Sequence, residues 1–281
     1  MLKSVFVSLY LVMVVALTGY AAFALPHGGD LFAWTGVLLT TAPFLVVLGW
    51  IMATRAVART SARLPGVTVL AVLGLALTLW SAAYRGAGAE MLVLAALGLV
   101  GFLLYSYWYS SLGPRASQIV IGERLASITL RNAAGVEISS DAWRGRPSIL
   151  IFFRGNWCPL CMAQIKELAS HYRDIEALGV RTALISPQPH ENTAALARTH
   201  NVHFEFYSDK GNAAARALGI DHPGGLPAGM QALGYESDTV LPTVIITDAR
   251  GVVVWAHETD NYRVRPEPET YLDVLRAHAI A

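Results

Sequence analysis

Cysteine is almost missing from this chain of 281 residues, which has only two. So few exclude a scaffold stapled by several disulfides. Charge is scarce as well, at 15% of residues against roughly 25% in an ordinary soluble domain. The shortage is local. Residues 1–112 hold just seven charged side chains: Lys3, Asp30, Arg55, Arg59, Arg63, Arg85 and Glu90. Residues 113–281 hold 16 basic and 18 acidic ones, so the two parts carry +3 and −2. That division excludes a wholly soluble protein and a disordered one. No basic run exists in the second part, which argues against a nucleic-acid partner.

The poorly charged part consists of four apolar runs, residues 4–24, 31–53, 66–84 and 91–112. Each is about 20 residues long, enough to cross a ~30 Å hydrocarbon core as a helix. Gly113-Pro114 ends the last one. The first run competes with a signal-peptide reading, because Lys3, the apolar stretch and Ala22-Phe23-Ala24 imitate a cleavable leader. Its length favours an anchor. Arg55, Arg59 and Arg63 crowd the second connection, and Lys3 stands at the N-terminus. The excess of basic residues places both in the cytoplasm. Four spans then put residues 113–281 in the cytoplasm too, and the loss of one span reverses that side.

The runs contain no cysteine, histidine or charged residue. They therefore offer no thiol relay across the bilayer, no histidine haem ligand and no ionisable ion path. Gly98 and Gly101 are candidates for close helix packing. The expectation is a four-helix membrane anchor embedded in lipid. One span would suffice to anchor a domain, so the surplus suggests a membrane-protein partner.

The second part changes pattern. Residues 125–130 and 136–138 flank Asn132-Ala133-Ala134-Gly135 and predict a hairpin. Residues 148–153 form a continuous apolar run, as in a strand buried on both faces. A helix is expected from Cys158 to about Leu178, a strand at 181–186 and a helix at 190–200. A short strand at 204–207 and a helix at 212–218 follow. Strands at 243–247 and 252–257 surround Asp248-Ala249-Arg250-Gly251, and a helix at 268–278 closes the chain. This alternation predicts an α/β sandwich with helices on both faces of a mixed sheet. Residues 219–241, rich in Gly and Pro, read as a long functional loop.

Both cysteines lie in Trp157-Cys158-Pro159-Leu160-Cys161, where a buried strand becomes a helix. At the helix N-terminus, unpaired N–H groups and the helix dipole favour a thiolate on Cys158. Cys161 follows one turn later on the same side. Pro159 suits the first helical turn. Half a zinc site and a pair of inert thiols are the competing readings. Zinc needs two more ligands. His200 and His203 read as the edges of a helix and a strand, and His171 lies about 15 Å along the helix. No metal is expected. Pro242, in Leu241-Pro242-Thr243, stands at the first position of a strand, where a cis bond suits a tight turn.

The run Phe152-Phe153-Arg154-Gly155-Asn156-Trp157-Cys158-Pro159-Leu160-Cys161 resembles the alkyl hydroperoxide reductase/thiol-specific antioxidant family, in its peroxiredoxin-like branch. Ile246-Thr247-Asp248-Ala249-Arg250-Gly251, Asp260-Asn261-Tyr262 and Arg265-Pro266-Glu267-Pro268-Glu269 strengthen the likeness, which covers about residues 118–280. It implies a thioredoxin fold, with Cys158 as the attacking cysteine, Cys161 as its partner and Pro242 as the cis-proline beside them. The family places Pro seven residues and Thr or Ser three residues before its peroxidatic cysteine. Here those positions are Ile151 and Gly155, so the hydroxyl that helps to hold a peroxide is missing.

Arg154 has two readings, a partner for the Cys158 thiolate or a solvated charge. Trp157 is expected to pack over the site edge, and Thr243 joins Arg154 and Trp157 as a substrate-binding candidate. Tyr262, Arg263 and Arg265 read as a solvated segment, with a substrate-lining role as the alternative. The expected protein is a membrane-anchored thiol oxidoreductase of the bacterial inner-membrane type. Its substrate is a peroxide or a protein disulfide, and an external, thioredoxin-like dithiol reduces it. No cofactor is expected. A redox sensor or scaffold is the non-enzymatic alternative.

Overall fold

A computed structural model describes residues 1–113, 117–199 and 203–278. Pro114, and His200 at the expected helix end, lie outside the described residues. The chain forms two compact units, one of Leu2–Thr54 with Thr60–Ser111, the other principally of Leu112–Ala281.

The first unit contains α1 (Leu2–His27), α2 (Leu31–Thr54), α3 (Pro65–Arg85) and α4 (Ala89–Leu103). A π-helical turn, Leu104–Tyr109, extends α4. All four helices are long and apolar enough to cross a membrane. Their outward faces carry large apolar side chains, among them Leu9, Val12, Val46, Leu73 and Val93. Small residues set the inner contacts. A Cβ added to Gly74 would lie 2.6 Å from the Gly36 carbonyl oxygen, and one on Gly36 would lie 2.5 Å from the Gly74 carbonyl oxygen. The backbones of α2 and α3 therefore meet with no room for a side chain. Gly98 likewise admits Thr40 and Thr41, and Gly101 admits the Tyr10 ring. Asp30 caps α2, its carboxylate accepting from the Phe32 and Ala33 N–H groups. The same carboxylate binds Arg85 at 2.6 Å, fixing the end of α3 to the start of α2.

The second unit is built on a seven-stranded mixed sheet. A hairpin of β1 (Thr129–Asn132) and β2 (Glu137–Ser139) precedes β3 (Ser148–Phe152). Then follow α5 (Pro159–Ser170), α6 (Tyr172–Ala177), β4 (Arg181–Ser186), α7 (His190–Thr199), β5 (Glu205–Ser208) and α8 (Ala213–Ala217). A two-stranded ribbon, β6 (Asp221–His222) with β7 (Thr239–Val240), spans the long loop. β8 (Thr243–Thr247), β9 (Val253–Glu258) and α9 (Pro268–Ala277) complete it. The strand order is β2-β1-β5-β4-β3-β8-β9. β3 runs parallel to β4 and antiparallel to β8. Every residue of β3 and β8 is buried, as their unbroken apolar runs require.

Three expectations shift, each for a local reason. The strand expected from Leu125 begins at Thr129, because Leu125 N–H instead bonds Gly251 O at 2.9 Å, beside the β8–β9 turn. The single helix expected over 158–178 breaks at His171. The Ser170 hydroxyl and the His171 ring both turn back to Glu167 O and compete with the helical ladder. The Leu241–Pro242 bond is trans, not cis. Trans is the favoured isomer, and here Leu241 N–H also reaches Ile220 O at 2.9 Å.

Replacing Gly74 with Leu should force α2 and α3 apart and cost about 1–3 kcal/mol, as overpacking does. The check is the unfolding temperature of the detergent-solubilised full chain, which should fall.

Candidate functional site

The antiparallel register Phe152↔Thr243 brings the end of β3 beside the start of β8. It thereby carries Pro242 to the turn from which α5 starts. Cys158 is the N-cap of α5 and Pro159 occupies its first turn. The Cys158 N–H donates to Gly155 O (3.2 Å), and Met162 N–H donates to Cys158 O (3.1 Å). Both cysteines are free and buried, at 2% and 0% exposure. Their thiols are hydrogen-bonded to each other.

The charge lies differently from the sequence expectation. Burial pushes the Cys158 thiol well up, and the hydrogen bond with Cys161 adds to this. Burial also opposes ionisation of Cys161. There it is outweighed by the Cys158 hydrogen bond, the Arg265 guanidinium, a backbone bond from Arg154 and the Arg154 charge, which bring Cys161 down to about 5. A helix N-terminus favours a thiolate at Cys158, but enclosure removes the water that would share the charge.

The arginines correct a second expectation. Tyr262, Arg263 and Arg265 are not a solvated segment, being 8%, 3% and 5% exposed. Arg265 donates from Nη2 to Cys161 Sγ (3.4 Å) and from Nη1 to Gln164 Oε1 (2.7 Å). Gln164 in turn donates to the Tyr271 hydroxyl at 3.1 Å. Arg154 is buried rather than solvated. Its guanidinium lies over the Trp157 and Tyr262 rings, 4.8 and 5.2 Å from their centroids, and donates to Gly225 O at 2.7 Å. Trp157 packs on this cation, at the edge of the cysteine turn. Thr243 is buried, and its hydroxyl donates to Leu241 O. Pro242, Thr243, Gln164 and Arg265 share the lining of one small pocket.

The long loop is tied to the cysteine turn. Thr239 Oγ1 donates to Arg154 O (3.0 Å), and the Tyr235 hydroxyl donates to Asn156 Oδ1. Asn192 Nδ2 donates to that hydroxyl (3.0 Å), and Asn156 N–H donates to Gln188 Oε1 (2.7 Å). Sequence reasoning missed Gln164, Gln188, Asn156 and Tyr235. Gln164 alone had a signal, standing three residues after Cys161 on the same helix face. Among the described residues, no group of three His, Cys, Asp or Glu side chains is placed to hold a metal. His171 and His203 pair elsewhere, with Glu269 and Glu176.

The family model described as AhpC/TSA matches residues 121–256. Residues 121–256 are an AhpC/TSA family domain. Its fold is thioredoxin-like. Chloroplastic peroxiredoxin Q of Sedum lineare is 25% identical over 104 residues, 37% of this chain and 56% of the relative. Peroxiredoxin Q of Populus jackii is 26% identical over 99 residues, 35% and 46% respectively. The chain thus spans about half the length of these curated relatives. Among solved structures, Enterococcus faecalis AhpC matches with TM-score 0.48 at 15% identity, covering 58% of this chain and 93% of that one. A cysteine-to-serine mutant of Xylella fastidiosa PrxQ gives the same score and identity, covering 58% and 99%.

Gly155 is the position at which the sequence resemblance implies a hydroxyl. Its φ is +144°, and an added Cβ would lie 2.6 Å from Trp157 Nε1. Gly155→Ser should therefore destabilise the domain by about 1–3 kcal/mol. Thermal unfolding of the full-length variant checks this, and an unchanged melting temperature would contradict the geometry.

Proposed function

We propose that this chain is a membrane-anchored thiol oxidoreductase whose Cys158 and Cys161 alternate between dithiol and disulfide. The observation that carries the reading is the pairing of two free, mutually hydrogen-bonded thiols at the start of α5 with the buried guanidinium of Arg265. α1–α4 serve as the anchor, and the basic connection at 55–63 favours a cytoplasmic redox domain.

In the reaction, Cys158 gives up its proton as its sulfur attacks the terminal peroxide oxygen. An S–O bond forms, the O–O bond breaks, and the departing oxygen takes a proton to leave as water or alcohol. Cys158 is then a sulfenic acid. Cys161 attacks its sulfur, an S–S bond forms, and the oxygen leaves as water. An external dithiol of thioredoxin-like type exchanges with this disulfide and returns the pair to its reduced form. Arg154 holds the cysteine turn through Gly225, and Trp157 closes its edge. Pro242 and Thr243 shape the wall beside Arg265.

Burial of both sulfurs favours a small oxidant over a bulky one. A second reading, protein-disulfide reduction, is favoured by Gly155, which supplies no hydroxyl to hold a peroxide. Stopped-flow mixing of the reduced full chain with hydrogen peroxide or an organic hydroperoxide separates the two. Oxidation much faster than that of a free thiolate is expected, with loss of at least 100-fold in Cys158→Ser. A rate no better than a free thiolate, with turnover of a protein disulfide, would select the second reading. Failure of both assays would leave a sensor or scaffold.

A further inference from the structure

Arg265 poses an electrostatic problem. It is 5% exposed, yet among the described residues no carboxylate pairs with it. Its polar contacts are the Gln164 amide oxygen and the Cys161 sulfur, and Nε has no partner. A buried guanidinium without a counter-anion is expensive. Among the described residues, the charged groups that act most on the two thiols are Arg265 and Arg154, besides the other cysteine. Arg154 is further occupied by Gly225 O and two aromatic rings. Among the described residues, the group placed to answer Arg265 with an anion is the cysteine pair, and the sulfur Arg265 touches belongs to Cys161.

We infer that Arg265, oriented by the Gln164–Tyr271 chain, is a positioning residue that keeps the resting negative charge of the pair on Cys161 and makes the pair an oxidising couple. This deepens, and rests on, the reading of the two cysteines as a redox pair. Two consequences follow from the charge placement. Cys161 is the base for Cys158: as Cys158 attacks a hydroperoxide, its proton passes along the S–H···S⁻ bond to Cys161, and Cys161 gives it to the departing alkoxide. The regenerated Cys161 thiolate then attacks the Cys158 sulfenic acid, and the expelled hydroxide takes a proton from solvent. Second, forming the disulfide removes the anion beside Arg265. The reduced state is selectively stabilised, which raises the reduction potential, because a stabilised thiolate makes a disulfide a stronger oxidant.

The test uses the reduced full chain in detergent and needs no substrate, so it stands whether or not peroxide is turned over. Thiolate absorbance at 240 nm is titrated in wild type, Cys158→Ser, Cys161→Ser, Arg265→Gln and Arg265→Lys. Wild type should retain one thiolate down to about pH 5. Cys161→Ser should lose it from the acidic range, while Cys158→Ser should keep one below the ordinary thiol range. Arg265→Gln should raise the midpoint by at least one pH unit, and Arg265→Lys should restore most of the shift. Equilibration with glutathione buffers should show the Arg265→Gln disulfide favoured at least tenfold more than in wild type, a potential lower by about 30 mV. If Arg265→Gln does not fold, the two cysteine variants still decide where the charge lies. An acidic thiolate that survives in Cys161→Ser would overturn the inference. So would an Arg265→Gln protein with wild-type midpoint and potential.

Discussion

The site depends on one long-range pairing. β3 and β8 are about 90 residues apart in sequence, yet they lie edge to edge in antiparallel register. β3 ends where the cysteine turn begins, and β8 begins one residue after Pro242. A one-residue slip would invert the faces of β8 and move Thr243 away from Phe152. Both strands are wholly buried, so such a slip would turn every buried side chain of β8 to the opposite face of the sheet. The hydrophobic pattern thereby fixes the position of a proline and a thiol pair that share no local sequence.

What could be read in advance follows from this. β4 and β8 coincide with their apolar runs, and β3 differs by one residue, because a strand buried on both faces leaves an unbroken signature. Turns with side-chain mimicry were equally legible. Asn132 Oδ1 accepts from the Ala134 and Val136 N–H groups, and Asp248 Oδ1 accepts from the Arg250 and Val252 N–H groups. The buried arginines were not legible. A guanidinium in a polar segment reads as solvated until tertiary structure supplies a sulfur, an amide and aromatic faces around it. Tyr235 gave no signal either, since its partners Asn156 and Asn192 lie 79 and 43 residues away.

The helical unit follows another logic. Its four helices leave large apolar side chains facing outward, and their mutual contact rests on close packing and a few polar ties. Gly36, Gly74, Gly98 and Gly101 provide the closeness, with Thr40 and Thr78 filling the space beside them. The aromatic group of Phe6, Tyr10, Phe44 and Tyr105 packs where the helix carrying Tyr105 widens into its π-helical turn. Ser110 closes that turn, with both its N–H and its hydroxyl bonded to Tyr105 O.

Gly155 and Trp157 have a consequence for how this sequence can change. The indole occupies the space that any β-carbon at position 155 would need, and the backbone there has a shape that suits glycine. The hydroxyl that the resemblance implies at position 155 would therefore compete with this chain's indole for the same volume. Gaining the hydroxyl requires Trp157 to shrink first, which strips a ring from the Arg154 cation and loosens the turn that holds both thiols. Position 155 and the cover over the Arg154 cation are thus coupled: a side chain at one must displace the ring at the other.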